Sequence, residues 1–194
     1  FSASPERERE ERESAAASDG ACAMVMTSER SLRKTPFKPA WIHATSIRSE
    51  PTQFAGQEKV NPQAGRDCAK DVYKKAGITD PRKQIDMAEI YVPFSWFEPM
   101  WMENLGFAPV GEGWKMTYEG ATALDGDLPV NCSGGVLSSN PIGASGMLRF
   151  AEAAMQVRGQ AGEHQIDGAK IALGHAYGGG SQFFSMWIVG SAKP

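Results

Sequence analysis

The stretch Asn131-Cys132-Ser133-Gly134-Gly135-Val136-Leu137-Ser138-Ser139-Asn140-Pro141-Ile142-Gly143-Ala144-Ser145-Gly146 gathers the residues best suited to chemistry. Gly134, Gly135, Gly143 and Gly146 permit tight turns, Pro141 fixes a bend, and an amphipathic run follows at once. A glycine-rich loop opening into a helix presents backbone N–H groups and the positive end of the helix dipole. It therefore suits a phosphate or a thioester oxygen. Asn140 adds a side chain that donates and accepts hydrogen bonds but takes no proton at neutral pH. Cys132 brings a thiol to the loop, although such a cysteine more often fills a small buried gap. Elsewhere, Tyr91 and His175 stand at the ends of predicted strands. A tyrosine hydroxyl, with a reference pKa of about 10, donates well but is a poor base. An imidazole titrates near neutrality. His43 and His164 read as structural or exposed.

These residues need elements to hold them. Hydrophobic periodicity predicts strands over Ala21–Thr27, Trp41–Ile47, Met87–Val92, Ala169–Gly174 and Phe183–Val189. Helices are expected over Arg66–Ala76, stopped by Gly77, and over the aromatic-rich Phe94–Leu105, irregular in its first turn because of Pro99. A third helix follows the glycine-rich loop, with Met147, Phe150, Ala151, Ala154 and Met155 as its apolar face and Gly159 and Gly162 as its end. Residues 48–63 read as a polar loop. Residues 111–127 read as a glycine-rich connection with short extended pieces. Gly178-Gly179-Gly180 is a turn that lets the last two strands pair as a hairpin. The alternation of strands and helices implies α/β layering.

With 194 residues the chain suffices for one sizeable domain, and its net charge of −3, with no basic patch, gives nucleic-acid binding no support. No apolar run approaches a membrane span, and no secretory signal is visible. The three cysteines, Cys22, Cys68 and Cys132, fit neither a disulfide framework nor a paired zinc site. A cytoplasmic setting is the expectation. The run over residues 4–13 alternates Glu and Arg, as a solvated arm does. The chain opens on Phe1 in mid-pattern, so a fragment or a processed subunit is expected.

Several segments, in order, resemble the C-terminal half of thiolases, in the sterol-carrier-protein-like and acetyl-CoA acetyltransferase branch. They are Ser18-Asp19-Gly20-Ala21, Asp86-Met87-Ala88-Glu89-Ile90, Glu103-Asn104-Leu105-Gly106-Phe107, Gly111-Glu112-Gly113, Asn131 to Gly146, and His175-Ala176-Tyr177-Gly178-Gly179-Gly180. The resemblance covers most of residues 17–191. It implies an α/β fold, two βαβαβαββ halves layered αβαβα, of which this chain forms mainly the C-terminal half. Residues 1–38 would be a charged arm, the last strand of the N-terminal half and a linker. Residues 39–194 would be the C-terminal domain.

The resemblance also implies chemistry. A cysteine in the family's N-terminal half attacks an acyl-CoA thioester, and the covalent acyl-enzyme divides one hard step into two. Cys22, Cys68 and Cys132 do not sit in that motif. Three further catalytic loops are altered here. A His-Asp-Cys-Phe pattern reads Tyr91-Val92-Pro93-Phe94. The activating histidine is Asn140, which can still hold a thioester oxygen as an oxyanion-hole donor does. The acid/base cysteine falls at Ala176, beside His175. The expected catalytic residues are therefore Asn140, His175 and Tyr91. Ser133, Gly134, Gly135, Pro141, Gly143, Gly178 and Gly179 would contact coenzyme A, the substrate. No covalently bound cofactor and no metal are implied.

The expected partners are the N-terminal thiolase half, in the same or a separate chain, a second copy in a dimer, and a small zinc-ribbon and OB-fold subunit. The activity implied is C-acyl transfer: thiolytic cleavage of a 3-oxoacyl-CoA or the reverse condensation. Phe94, Trp96, Phe97, Met100 and Trp101 read mostly as core or subunit interface, but part of the cluster could line a pocket for a bulky acyl group, sterol-derived or aromatic such as benzoylsuccinyl-CoA. Two alternatives stand beside it. One is a non-catalytic thiolase-like subunit supporting a partner. The other is a thiolase-fold retro-aldolase, a class that resemblance says uses tyrosines. Tyr91 fits that class, but Asn140 does not supply the second tyrosine.

Overall fold

The computed structural model describes residues 14–32, 36–52 and 56–194, so the charged run over residues 4–13 lies outside the described residues. Four strands form one mixed sheet: β1 (Trp41–Ser49), β2 (Met87–Glu89), β3 (Ile171–Gly178) and β4 (Phe183–Gly190), in the order β1-β4-β3-β2. β3 and β4 pair as the expected antiparallel hairpin, β1 joins β4 antiparallel, and β2 runs parallel to β3. A single parallel bridge between Ala88 and Val130 extends the sheet beyond β2. The pairing goes no further, because the Val130 and Leu128 N–H groups donate to the Thr122 and Ala121 carbonyls at 3.0 and 2.9 Å.

Helices cover both faces. On one, α1 (Gln63–Ala76) packs on β1 and β4 through Ala64, Cys68, Ala69, Val72 and Tyr73, and α2 (Phe97–Asn104) and α3 (Gly113–Tyr118) lie beside it. On the other, α4 (Ser145–Arg158) packs on β2, β3 and β4. The larger apolar core lies on the α1 side, with Trp101, Leu173, Phe184, Met186 and Ile188 fully buried or nearly so. A smaller one, built on Met87, Ala153, Val157, Ala172 and Val189, lies under α4.

Several expected boundaries move for local reasons. α1 starts three residues early because the Glu50 carboxylate accepts the Ala64 N–H at 2.7 Å, an outside partner for a free helix-start donor. It ends at Gly77, which takes the left-handed conformation (φ 71°). β2 stops at Glu89 because the Ile90 N–H turns to the Asn131 side chain at 2.8 Å. α2 begins at Phe97, not Phe94, which puts Pro99 in the first turn, where its missing N–H costs nothing. Residues 113–118 are helical, not extended, and the Glu103 carboxylate anchors the start by accepting the Gly113 N–H at 2.9 Å.

Two expectations are corrected. Ala21–Thr27 forms no strand and pairs with none of the four strands; Val25 is 98% and Met26 76% exposed. The apolar face expected on α4 is only partly inward: Phe150 packs at the margin of the smaller core, edge-on to Trp187 with ring centroids 5.2 Å apart. Met147 is exposed and Phe150, Ala151, Ala154 and Met155 are only half-buried. The buried face instead carries Ser145, Arg149, Glu152, Ala153, Gln156 and Val157.

Candidate active site

Tyr91 and Asn140 meet. Tyr91 lies two residues past β2, and its carbonyl accepts the indole N–H of Trp101 at 2.8 Å. Its hydroxyl donates to Asn140 Oδ1 at 3.0 Å. The Ser145 hydroxyl, at the start of α4, donates to the same oxygen at 2.7 Å. Two hydroxyls on Oδ1 fix the amide, and the N–H bonds of Nδ2 are the donors that Asn140 can offer a ligand. Such donors in a nearly dry site stabilise negative charge far better than they would in water. All three side chains are buried or nearly so.

The glycine-rich loop is shaped from below. Asn131 (φ 54°), Gly134 (φ 86°) and Gly135 (φ 61°) all take left-handed conformations. The Gly134 N–H donates to the Asn131 carbonyl at 2.9 Å, and the Gly135 N–H to Ser133 Oγ at 3.2 Å. Ser133 Oγ in turn donates to Glu89 at 2.9 Å and accepts from Arg149 at 3.0 Å. Ser133, Gly134 and Gly135 thus use these polar groups inside the loop and its support. They shape the loop more than they face a ligand. Pro141 and Gly143 line an open cleft of about 470 Å³ together with Asp19, Gly20, Cys22 and Met147. Residues 14–18 cross the mouth of the site: the Ala15 N–H donates to the Pro93 carbonyl at 2.8 Å, and Ala17 bridges Asn140.

Burial raises the Glu89 carboxyl above the usual carboxylate range, and Arg149 at 2.6 Å opposes that rise. Burial also pushes the Cys132 thiol up to about 12, with Glu89 adding to the shift, so Cys132 holds its proton at neutral pH.

His175, Ala176 and Tyr177 lie within β3, on alternating faces. His175 points into the larger core between the rings of Trp101 and Phe184 and has no exposed surface. Burial lowers its pKa to about 3, so the imidazole stays neutral. Its Nδ1 accepts the Tyr91 N–H at 3.4 Å, and Nε2 has no partner among the described residues. As placed, it orients the Tyr91 backbone and exchanges no proton with solvent. Ala176 faces α4, where a Cβ added at Gly146 would come within 2.9 Å of its methyl group. It lines a second, apolar cleft of about 420 Å³ with Met24, Met26, Met147, Phe150 and Trp187. Gly178 ends β3, Gly179 opens the β3–β4 turn, and neither lines these clefts.

Tyr177 was not among the expected site residues. Its ring meets that of Tyr91 edge-on, centroids 5.2 Å apart, and burial followed by the neighbouring Tyr91 raises its pKa. The signal was available: strand alternation puts residues 175 and 177 on one face, just before a glycine turn. Among the described residues no three or more His, Cys, Asp or Glu side chains converge as metal ligands, and no helix is long and apolar enough to cross a membrane.

Residues 47–191 match the family model described as thiolase C-terminal domain-like. The chain is 34% identical to an acetyl-CoA acetyltransferase of Methanothermobacter thermautotrophicus, over 84% of this chain and 42% of that protein. It is 33% identical to sterol carrier protein 2 of Homo sapiens, over 89% of this chain and 33% of that protein. It is 31% identical to benzoylsuccinyl-CoA thiolase subunit BbsB of Thauera aromatica, over 84% and 42% respectively. Among solved structures it superposes on the Ltp2-ChsH2(DUF35) aldolase with a TM-score of 0.74 and 26% identity, covering 84% of this chain and 42% of that one. The chain therefore spans less than half the length of these relatives. The mixed sheet, the glycine-rich loop before α4 and the family match together place this chain in the thiolase family, as a C-terminal domain-like member.

Proposed function

We propose that this chain is the C-terminal part of a thiolase-like enzyme that makes or breaks a carbon–carbon bond next to an acyl-CoA thioester, by C-acyl transfer. The observation that carries the proposal is the Tyr91–Asn140–Ser145 cluster, which converts the loop's histidine position into a fixed hydrogen-bond donor. Asn140 Nδ2 holds the thioester oxygen as negative charge grows on it in the enolate or tetrahedral species. In the cleavage direction the Tyr91 hydroxyl, bonded to the same Asn140, gives its proton to the α-carbon of the enolate, and the phenolate so formed takes the proton of the incoming CoA thiol. His175 orients Tyr91 from beneath. The nucleophilic cysteine comes from the N-terminal half, in the same chain or a partner. The exposed Met26 and the apolar cleft beside Phe150 support docking of that half. The exposed, stacked rings of Phe94 and Trp96 support a bulky acyl group.

A second reading gains from one observation. Tyr177 beside Tyr91 supplies the second tyrosine that Asn140 does not, which supports retro-aldol cleavage of a 3-hydroxyacyl-CoA. The likeness to a thiolase-fold aldolase supports the same reading.

Incubation of the full-length protein with 3-oxoacyl- and 3-hydroxyacyl-CoA, with and without free CoA, separates the readings. C-acyl transfer requires CoA and leaves an acyl group on a cysteine, visible by mass spectrometry. Retro-aldol cleavage releases an aldehyde or ketone without CoA. No turnover in any arm would leave a non-catalytic supporting subunit.

A further inference from the structure

Below the loop lies a buried ion pair that the chemistry above does not use. Glu89 ends β2 with no exposed surface, and Arg149 sits one turn into α4 with a side chain 6% exposed. Arg149 Nη1 donates to Glu89 Oε2 at 2.6 Å and to Ser133 Oγ at 3.0 Å. Glu89 also accepts the Ser133 hydroxyl at 2.9 Å and the Ser133 N–H at 3.2 Å. Arg149 Nε is left without a partner among the described residues. A buried pair with an unpartnered donor is a poor stabiliser, and well-packed apolar side chains of similar volume often do better. Its position is more telling than its energy. Glu89 precedes Tyr91 by two residues on the same strand exit, and Arg149 follows Ser145 by one helical turn on the same buried face. The pair therefore ties together the two elements whose ends carry the Tyr91 and Ser145 hydroxyls, both bonded to Asn140 Oδ1.

We infer that Glu89 and Arg149 are positioning residues: through Ser133 they clamp β2 to α4 and set the Tyr91–Asn140 hydrogen bond. Small displacements at such a contact cost far more in rate than in stability. The activity arm of the test rests on the acyl-CoA reading; the spectroscopic arm does not.

The full-length protein is prepared with 3-fluorotyrosine at position 91 as a ¹⁹F NMR probe, in parent, Arg149→Lys and Glu89→Leu/Arg149→Met backgrounds. The double variant refills the volume with apolar groups, and the lysine variant keeps the charge while losing the reach. In both, the expected result is a shifted, broadened position-91 resonance and a changed phenol titration, with a melting temperature close to the parent's. In unlabelled protein, kcat falls about tenfold or more while KM moves less than about threefold. A position-91 resonance and titration that superimpose on the parent's in both variants would overturn the inference, whatever the activity does. So would loss of folding in both, which assigns the pair to folding alone. A moved resonance with no acyl-CoA turnover in any form, parent included, would support the clamp and contradict the acyl-CoA reading.

Discussion

Two helices of 14 residues, α1 and α4, lie on opposite faces of one sheet and bury opposite chemistries. The inner face of α1 is small and apolar: Ala64, Gly65, Cys68, Ala69, Val72 and Tyr73. The inner face of α4 is mostly polar, and each polar residue on it has a partner. Ser145 donates to Asn140, Arg149 pairs with Glu89, Glu152 lies 2.6 Å from His164 Nε2, and the Gln156 amide bonds the backbone of His164 and Ile166. Of the apolar residues on α4, Met147 is exposed and Phe150 packs only at the margin of the smaller core. Burial without apolar character is costly unless each group is satisfied. α4 thus carries a hydrogen-bonded polar network against the sheet, whereas α1 closes an apolar core.

This contrast can be broken by substitution. Arg149→Leu leaves Glu89 as a buried, unpaired carboxyl and is expected to lower stability by about 3–5 kcal/mol in urea unfolding. Val72→Ala on α1 removes two fully buried methyl groups and is expected to lower it by roughly 2 kcal/mol. If the α1 substitution were the more damaging, the polar face would not be the more demanding one. Protonation separates the two faces more gently. His175, in the core on the α1 side, has its pKa lowered to about 3, so folding favours its neutral form. Between pH 6.5 and about 3 the unfolded chain takes up a proton that the folded chain refuses. Stability should therefore fall with falling pH by about 1.4 kcal/mol per unit, and His175→Gln should remove that share of the slope. The smallest effect belongs to the outer face of α4. Met147→Gln should change the stability of this domain by less than about 0.5 kcal/mol, because Met147 is already exposed. A large loss would mean that this face is part of the domain's own core.

The same contrast explains what could be read in advance. Where a helix buries apolar residues, periodicity suffices: Cys68 and Val72 fall on the inner face of α1, and Gly77 ends it. The β3–β4 hairpin was legible because alternation and a glycine turn agree. On α4 the same rule pointed to Met147, which is exposed, and to Phe150, which packs only at the margin of the smaller core beside Trp187, because most of the inner face of this helix is polar and gives periodicity nothing to read. Asn140 and Tyr91 stand out in the sequence by their motif positions, 49 residues apart, and the structure joins them through one hydrogen bond. The burial of His175 was not legible, since its depth depends on Trp101 and Phe184, which are distant in sequence. Glu89 and Arg149 were missed because each reads as an ordinary surface charge until the fold brings them together, 60 residues apart. Strand alternation indicates the face of Tyr177, but its place in the site was not legible because its contact with Tyr91 joins segments distant in sequence.

On the proposed C-acyl transfer reading, Asn140 polarises a thioester and does not act as a base. The kinetics of Asn140→Ala in the full-length protein with a 3-oxoacyl-CoA decide this. The expected result is a fall in kcat of about 10²–10³ with KM changed only a few-fold and the pH–rate profile unmoved. An unchanged kcat, or a loss confined to KM, would contradict it.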